Sequence, residues 1–369
     1  MPGKRGTRRA NRHRSPVWAK VLMGVGAVLA VASFGTVGYA RMMFDQVNDS
    51  LGSEDLIDTV DPGDDITGPL NLLMIGSDMR DDWVAAQADT IMILHIDKSL
   101  SHADIVSIPR DLDVPIVGTD CGGGEPCRDK INSAFTQGGT SAKESVSSLA
   151  ATVTELTGVR FNGAAVINFD GFTDIVDTLG GVELCLPFDM EVMHAKNEDY
   201  PLGPDGGRIY PKGCALYGKK DALPIVRERY AYGPETPGWT PEWGISDYGR
   251  QHMQQHFIKQ LLNRAAEQGY VSNPAKVGDL IAAMAGNLTV DVGNKHTAVD
   301  FAFALRGIDV GSMATLRVPS EPAEIDGVSY VLTQPGDQEV AAEALYRAIR
   351  DDTLAEWVKH NPDWTNADM

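Results

Sequence analysis

Two apolar runs set most of what this chain can fold into. Ala88 to Asp97 and Ala103 to Ile108 are rich in β-branched and aliphatic residues, and only the polar stretch Lys98 to His102 separates them. They read as a hairpin of central strands, apolar enough to be covered on both faces. The hairpin has charged ends. One strand begins at Asp89; the other stops at Pro109, which has no N–H for a ladder, followed by Arg110 and Asp111. Antiparallel pairing puts the start of one strand beside the end of the next, so Asp89 and Arg110 are expected at the same sheet edge, where a site is expected. Pro69 to Gly76 repeats the design, an apolar strand delivering Asp78 and Arg80.

Beyond the hairpin, Ser141 to Thr157 carries Val146, Leu149, Val153 and Leu156 at helical spacing and ends at Gly158. A strand (164–168), a short helix (171–179), the Gly180-Gly181 turn and another strand (182–186) follow, an alternation of α/β type. Residues 189 to 213 read as a surface excursion. Helices are expected at about 215–231 and 248–268, amphipathic segments at 273–286 and 295–306, strands near 313–318 and 328–333, and a last helix at about 336–358.

Charge is sharply divided. The first twenty residues hold seven Lys or Arg and no acid, leaving 25 basic against 51 acidic residues, about −26, in the remainder. Nucleic acid needs clustered cations, so it is excluded as a partner. Val21 to Ala40 is twenty residues without a charge, the length a helix needs to cross a bilayer. Its bland alternative is a cleaved signal peptide, with small residues near Ala40. As an anchor it gives a basic cytoplasmic arm (1–20), a transmembrane helix (21–40), a polar stalk (41–68), a folded extracytoplasmic body (69–360) and a tail (361–369) in the cell membrane. Cys121, Cys127, Cys185 and Cys214 are an even set for an oxidising space. Local pairing is the simplest of three connectivities, and their spacings match no usual zinc site.

Arg227 and Arg229 lie two apart at the end of one expected helix. Arg250 and Gln254, four apart, share a face at the start of the next, where backbone N–H groups favour an anion. With Arg110 they are scarce cations in an acidic body, and guanidinium forks suit phosphate oxygens. Asp78 and Asp89 would repel such a group, so they fit best with a divalent cation between them and the phosphates, Mg²⁺ or Mn²⁺. Taken singly, each of these residues is more often an ordinary surface or ion-paired side chain.

Taken together they resemble the LytR-CpsA-Psr family. The similarity runs through Leu72 to Arg80, Ala88 to Leu94, Val106 to Asp111, Lys130 to Phe135, Val166 to Phe172, Val176 to Val182, Gly218 to Leu223, Val226 to Tyr230 and Asp247 to Gln255, in the family's order. The resemblance implies a three-layer α/β/α sandwich around a mixed sheet, with an apolar tunnel for a lipid tail. It implies a membrane-anchored, magnesium-dependent phosphotransferase moving a glycopolymer from a polyprenyl-pyrophosphate carrier to peptidoglycan. Asp78 and Asp89 then correspond to metal-associated carboxylates. Arg110, Arg227, Arg229 and Arg250 correspond to pyrophosphate ligands, with Arg80 beside them, and Gln254 to a head-group contact. Arg110, Asp89 and Arg250 are the candidates for catalysis. Gln87 and Met253 stand where Arg is common, and the stretch Tyr232 to Ser246, with Trp239 and Trp243, is longer than expected. A pyrophosphatase, transfer onto a surface protein, and a catalytically weak wall-binding or regulatory protein remain open.

Overall fold

The computed structural model describes residues 55–78, 86–139, 141–270, 273–284 and 287–366. The basic arm, the expected span 21–40, the first half of the stalk (41–54) and Arg80 lie outside the described residues. Among those described, no helix is long and apolar enough to cross a membrane.

In chain order the body opens with β1 (Leu70–Ser77), β2 (Ala88–Ile96) and β3 (Ala103–Ile108), then the short ribbon β4 (Asp113–Pro115) and β5 (Arg128–Lys130). Helices α1 (Ser133–Gln137) and α2 (Ala142–Thr157), strand β6 (Gly163–Ile167), helix α3 (Phe169–Thr178) and strand β7 (Val182–Leu186) follow. Next come β8 (Met190–Val192), β9 (Arg208–Tyr210), β10 (Gly213–Tyr217), α4 (Lys219–Arg227), α5 (Asp247–Glu267) and α6 (Pro274–Ala283). The chain closes with β11 (Leu288–Asp291), α7 (Ala298–Ala304), β12 (Thr315–Arg317), the hairpin β13 (Glu321–Ile325) and β14 (Val328–Leu332), α8 (Asp337–Arg350) and α9 (Leu354–His360).

Six strands form one mixed sheet in the order β11-β6-β1-β2-β3-β12. The expected β2–β3 hairpin is present, with Ile91 opposite Ile108 and Ile96 opposite Ala103. Alternation along the strands then sorts their side chains. Leu73, Ile75, Ile91, Ile93, Val106 and Ile108 pack with Val146, Leu149 and Val153 of α2 and Leu345 and Ile349 of α8. Leu70, Met92, Ile96, Ala103 and Ile105 face the other way, against Phe301 of α7 and Ile258 and Leu262 of α5. Helices therefore cover both faces, and each fully buried aliphatic side chain contributes about 1.5–3 kcal/mol. Helix α2 starts where the sequence says it should: Ser141 and Glu144 form a reciprocal capping box, and Gly158 closes it at φ +66°.

Five expectations need correction. The stretch 55–68 is bound to the body rather than free as a stalk: Leu56 is buried, its N–H and that of Ile57 donate to the Asp291 carboxylate at 2.8 and 3.0 Å, and Val60 N–H donates to Phe161 O. The excursion at 189–213 contains the β8–β9 ribbon, whose Met190, Val192 and Tyr210 are fully buried. The single helix expected at 215–231 is a strand, β10, followed by α4. Cys214 of β10 lies opposite Cys185 of β7 and the two are disulfide-bonded across the pair, as Cys121 and Cys127 are across their loop. The last helix breaks at Asp352, φ +55°, because its carboxylate is bound to the end of β2, accepting from Lys98 N–H and facing His95 Nε2. Residues 361–366 are not a loose tail: Asn366 N–H donates to Thr315 O and its amide to Gln255 Oε1.

Candidate active site

The topology brings one end of every central strand to a single edge. Strands β1 and β6 run parallel, with Gly76 opposite Ile167, so Asp78 and Phe169 follow at the same place. Antiparallel β2 begins there and β3 ends there, which delivers Asp89 and Arg110. Arg110 Nη1 is ion-paired with Asp89 Oδ1, as the hairpin register requires. Helix α5 then points its first turns at this pair.

Arg250, 5% exposed, donates through Nη2 to Asp89 O at 2.9 Å and lies 4.0 Å from Asp89 Oδ1 and 2.7 Å from Asp247 Oδ1. Arg110 Nε lies 3.8 Å from the same Asp247 oxygen and 3.6 Å from Asp111, which also pairs with Lys130 at 3.0 Å. The result is an alternating lattice of guanidinium and carboxylate groups at the rim of the sheet. Burial works against the Arg110 cation, but the carboxylates of Asp247, Asp89 and Asp111 outweigh it and raise its pKa. For Arg250 burial dominates; Asp247 counteracts it, Arg110 adds to it, and the pKa falls. Arg229 also adds slightly to the depression of Arg250. Both arginines remain protonated at neutral pH.

The lattice is incompletely hydrogen-bonded. Among the described residues, the buried Nε atoms of Arg110 and Arg250 and the buried Gln254 Oε1 have no hydrogen-bond partner. Unmet buried donors cost about 1–3 kcal/mol each, so an oxygen atom brought to either Nε–H would be favoured there. Close approach makes the arrangement possible. A Cβ on Gly249 would stand 2.1 Å from Cγ of Tyr232, which is buried, so only glycine lets α5 lie this near the chain that leads from Arg229. Gly249→Ala is expected to destabilise the body by roughly 2 kcal/mol, overpacking outweighing the gain in helix propensity, and a urea unfolding series checks this.

The expected residues are not all joined. Asp78 follows the end of β1, and its Oδ1 accepts from Gln87 N–H at 2.7 Å rather than from any of the described arginines. Arg227 reaches the same sheet edge but is exposed, with its guanidinium 4.0 Å over the Phe169 ring. Met253 is fully buried and serves the core. Trp239 is tied by its indole N–H to Gly244 O, and Trp243 stacks on His252 of α5. Sequence reasoning overlooked Asp247 and Lys130 as members of the cluster; the signal for Asp247 was its spacing of three from Arg250 on one helix. It also overlooked Glu228, a buried carboxylate between two arginines.

Residues 38–345 match the LytR_cpsA_psr family. The chain belongs to that family. Within it, a probable cell wall biosynthesis protein, LcpB, from Corynebacterium glutamicum is 29% identical over 77% of this chain, which spans 62% of LcpB's length. The polyisoprenyl-teichoic acid–peptidoglycan teichoic acid transferase TagU of Halalkalibacterium halodurans is 23% identical, over 85% of this chain and 93% of its own. The solved structure of protein gbs0355 from Streptococcus agalactiae shares the fold, with a TM-score of 0.61 and 20% identity over 80% of this chain and 91% of that one.

Proposed function

We propose that this family member is a membrane-anchored phosphotransferase that moves a glycopolymer from a polyprenyl-pyrophosphate carrier onto peptidoglycan through a phosphodiester. The observation carrying this reading is the convergence of Arg110 and Arg250 on one sheet edge around Asp89 and Asp247, with their Nε–H groups unmet. The name of TagU supports the substrate class, that of LcpB a part in cell-wall synthesis, and the uncharged run 21–40 the anchor.

A diphosphate entering the site exchanges arginine–aspartate pairs for arginine–phosphate pairs. Arg110 and Arg250 then hold the oxygens on which charge develops, and such prepositioned donors stabilise a phosphoryl-transfer transition state. The exchange releases Asp89 to take the proton of the acceptor hydroxyl as its oxygen bonds to the sugar-linked phosphorus and the bond to polyprenyl phosphate breaks. Asp78 and Asp89 are hard oxygen donors on adjacent strand ends, the number and type that magnesium usually takes from a protein. Among the described residues no group of three or more His, Cys, Asp or Glu could hold a metal. With Asp78 and Asp89 as its protein ligands, such a site would be completed by the substrate's phosphate oxygens and water, and Mg²⁺ there would supply further charge neutralisation.

Incubating the full chain with lipid-linked donor and peptidoglycan is expected to yield glycan phosphate on the acceptor, with transfer lost in EDTA and restored by Mg²⁺. Calorimetry is expected to find weak Mg²⁺ binding alone and tighter binding with pyrophosphate present. Release of free glycan phosphate at the same rate with and without acceptor would replace transfer by hydrolysis.

A further inference from the structure

The loop between α4 and α5 holds a buried charge that phosphate binding does not need. Glu228 is 1% exposed. One carboxylate oxygen accepts from the backbone N–H groups of Arg229, Tyr230 and Ala231 at 2.8, 2.5 and 3.3 Å, and the other from Met193 at 2.8 Å. A carboxylate taken out of water is tolerated only when several donors meet it. Here four backbone donors tie residues 228–231 into a knot and fix the backbone from which its side chains project.

What the knot presents to solvent is Tyr230, which is 64% exposed. Arg229 lies over its ring, 5.1 Å from the centroid, and donates from Nη2 to the Tyr230 hydroxyl at 3.2 Å. Two residues on, the ring of Tyr232 packs against Gly249, the chain neighbour of Arg250, and so brings this loop to the nest. The far end of the loop is tied too, since Ser246 N–H donates to Tyr232 O at 2.8 Å and so anchors the extra segment carrying the exposed Ile245. A singly exposed aromatic is unremarkable on a protein surface. An exposed aromatic held by a buried carboxylate, at the rim of an anion nest, has a use for its rigidity.

We infer that Tyr230 is the stacking face for the sugar ring attached to the phosphate that the nest binds, with Glu228 as its positioning residue. This rests on the phosphotransferase reading. A pyranose has an apolar C–H face and a wet hydroxyl rim. It can cover an aromatic plane while its anomeric phosphate stays with the arginines, and a fixed ring loses little entropy on binding.

The test uses the full chain in detergent and two probes, farnesyl pyrophosphate and N-acetylglucosaminyl farnesyl pyrophosphate. Tyr230→Ala is expected to weaken the sugar-bearing probe about tenfold and to leave the sugar-free probe within about twofold, whereas Tyr230→Phe keeps both affinities. Equal weakening of both probes by Tyr230→Ala would mean that the ring acts through Arg229 and would overturn the inference, as would no weakening of either. A Tyr230→Phe variant as defective as Tyr230→Ala overturns stacking, since the hydroxyl would then be responsible. A wild-type chain that binds neither probe overturns the phosphotransferase reading, and this inference with it.

Discussion

Arg250→Ala is expected to lower transfer of the glycan phosphate by roughly a hundredfold or more, and Arg250→Lys to recover only part of the loss. The guanidinium is already desolvated, at 5% exposure, and already oriented by Asp247 and the Asp89 carbonyl. Its tie to the Asp89 carbonyl therefore holds it in place while Asp247 is exchanged for phosphate. Lysine would keep the charge but not the fork, and its compact ammonium would be drawn to Asp247 alone. The fold should survive the change. Removing Arg250 relieves its desolvation and its repulsion from Arg110, which offsets the loss of the Asp247 pair. Rates measured beside thermal midpoints decide the matter: a variant that transfers at the wild-type rate would remove Arg250 from the mechanism. Arg110→Ala is expected to behave alike, because the two cations share Asp89 and Asp247.

Glu228→Ala is expected to cost stability instead, about 3–5 kcal/mol. Four backbone N–H groups lose their acceptor at once in a place where the carboxylate itself was 1% exposed. Glu228→Gln is the informative partner. Its amide oxygen can still accept from Arg229, Tyr230 and Ala231, while its NH₂ faces Met193 N–H, donor against donor, so roughly half of the loss should remain. Urea unfolding gives the stability. Transfer assays below the unfolding midpoint should show Glu228→Gln impaired in activity as well, since the loop that carries Arg229 has lost one of its ties. Equal stability of wild type and Glu228→Ala would show that water replaces the carboxylate and that the knot is not structural.

How much of this was legible in advance depended on how local each signal was. The β2–β3 hairpin, helix α2 with its closing Gly158, and the edge shared by Asp89 and Arg110 follow from period, C-terminal capping and antiparallel register, which are properties of short stretches. Strand β10 reads in sequence as the start of α4, and pairing with β7, with Cys214 set opposite Cys185 at a separation of 29, overrides that local pattern. The segment 55–68 looked like a stalk because its anchor, Asp291, is more than two hundred residues distant. The buried role of Met253 and the stacking of Arg227 on Phe169 were invisible for the same reason.

By itself the sequence determined the class of the fold, the family, and which scarce cations and carboxylates matter, because apolar periodicity and motif order are written along the chain. Only the tertiary structure decided which of them meet. It put Arg250 against Asp247 and Asp89, kept Arg227 out on Phe169, and knotted Arg229 and Tyr230 around Glu228. Charges act through distances in space, and those distances are set by a sheet edge that collects strand ends from across the whole chain.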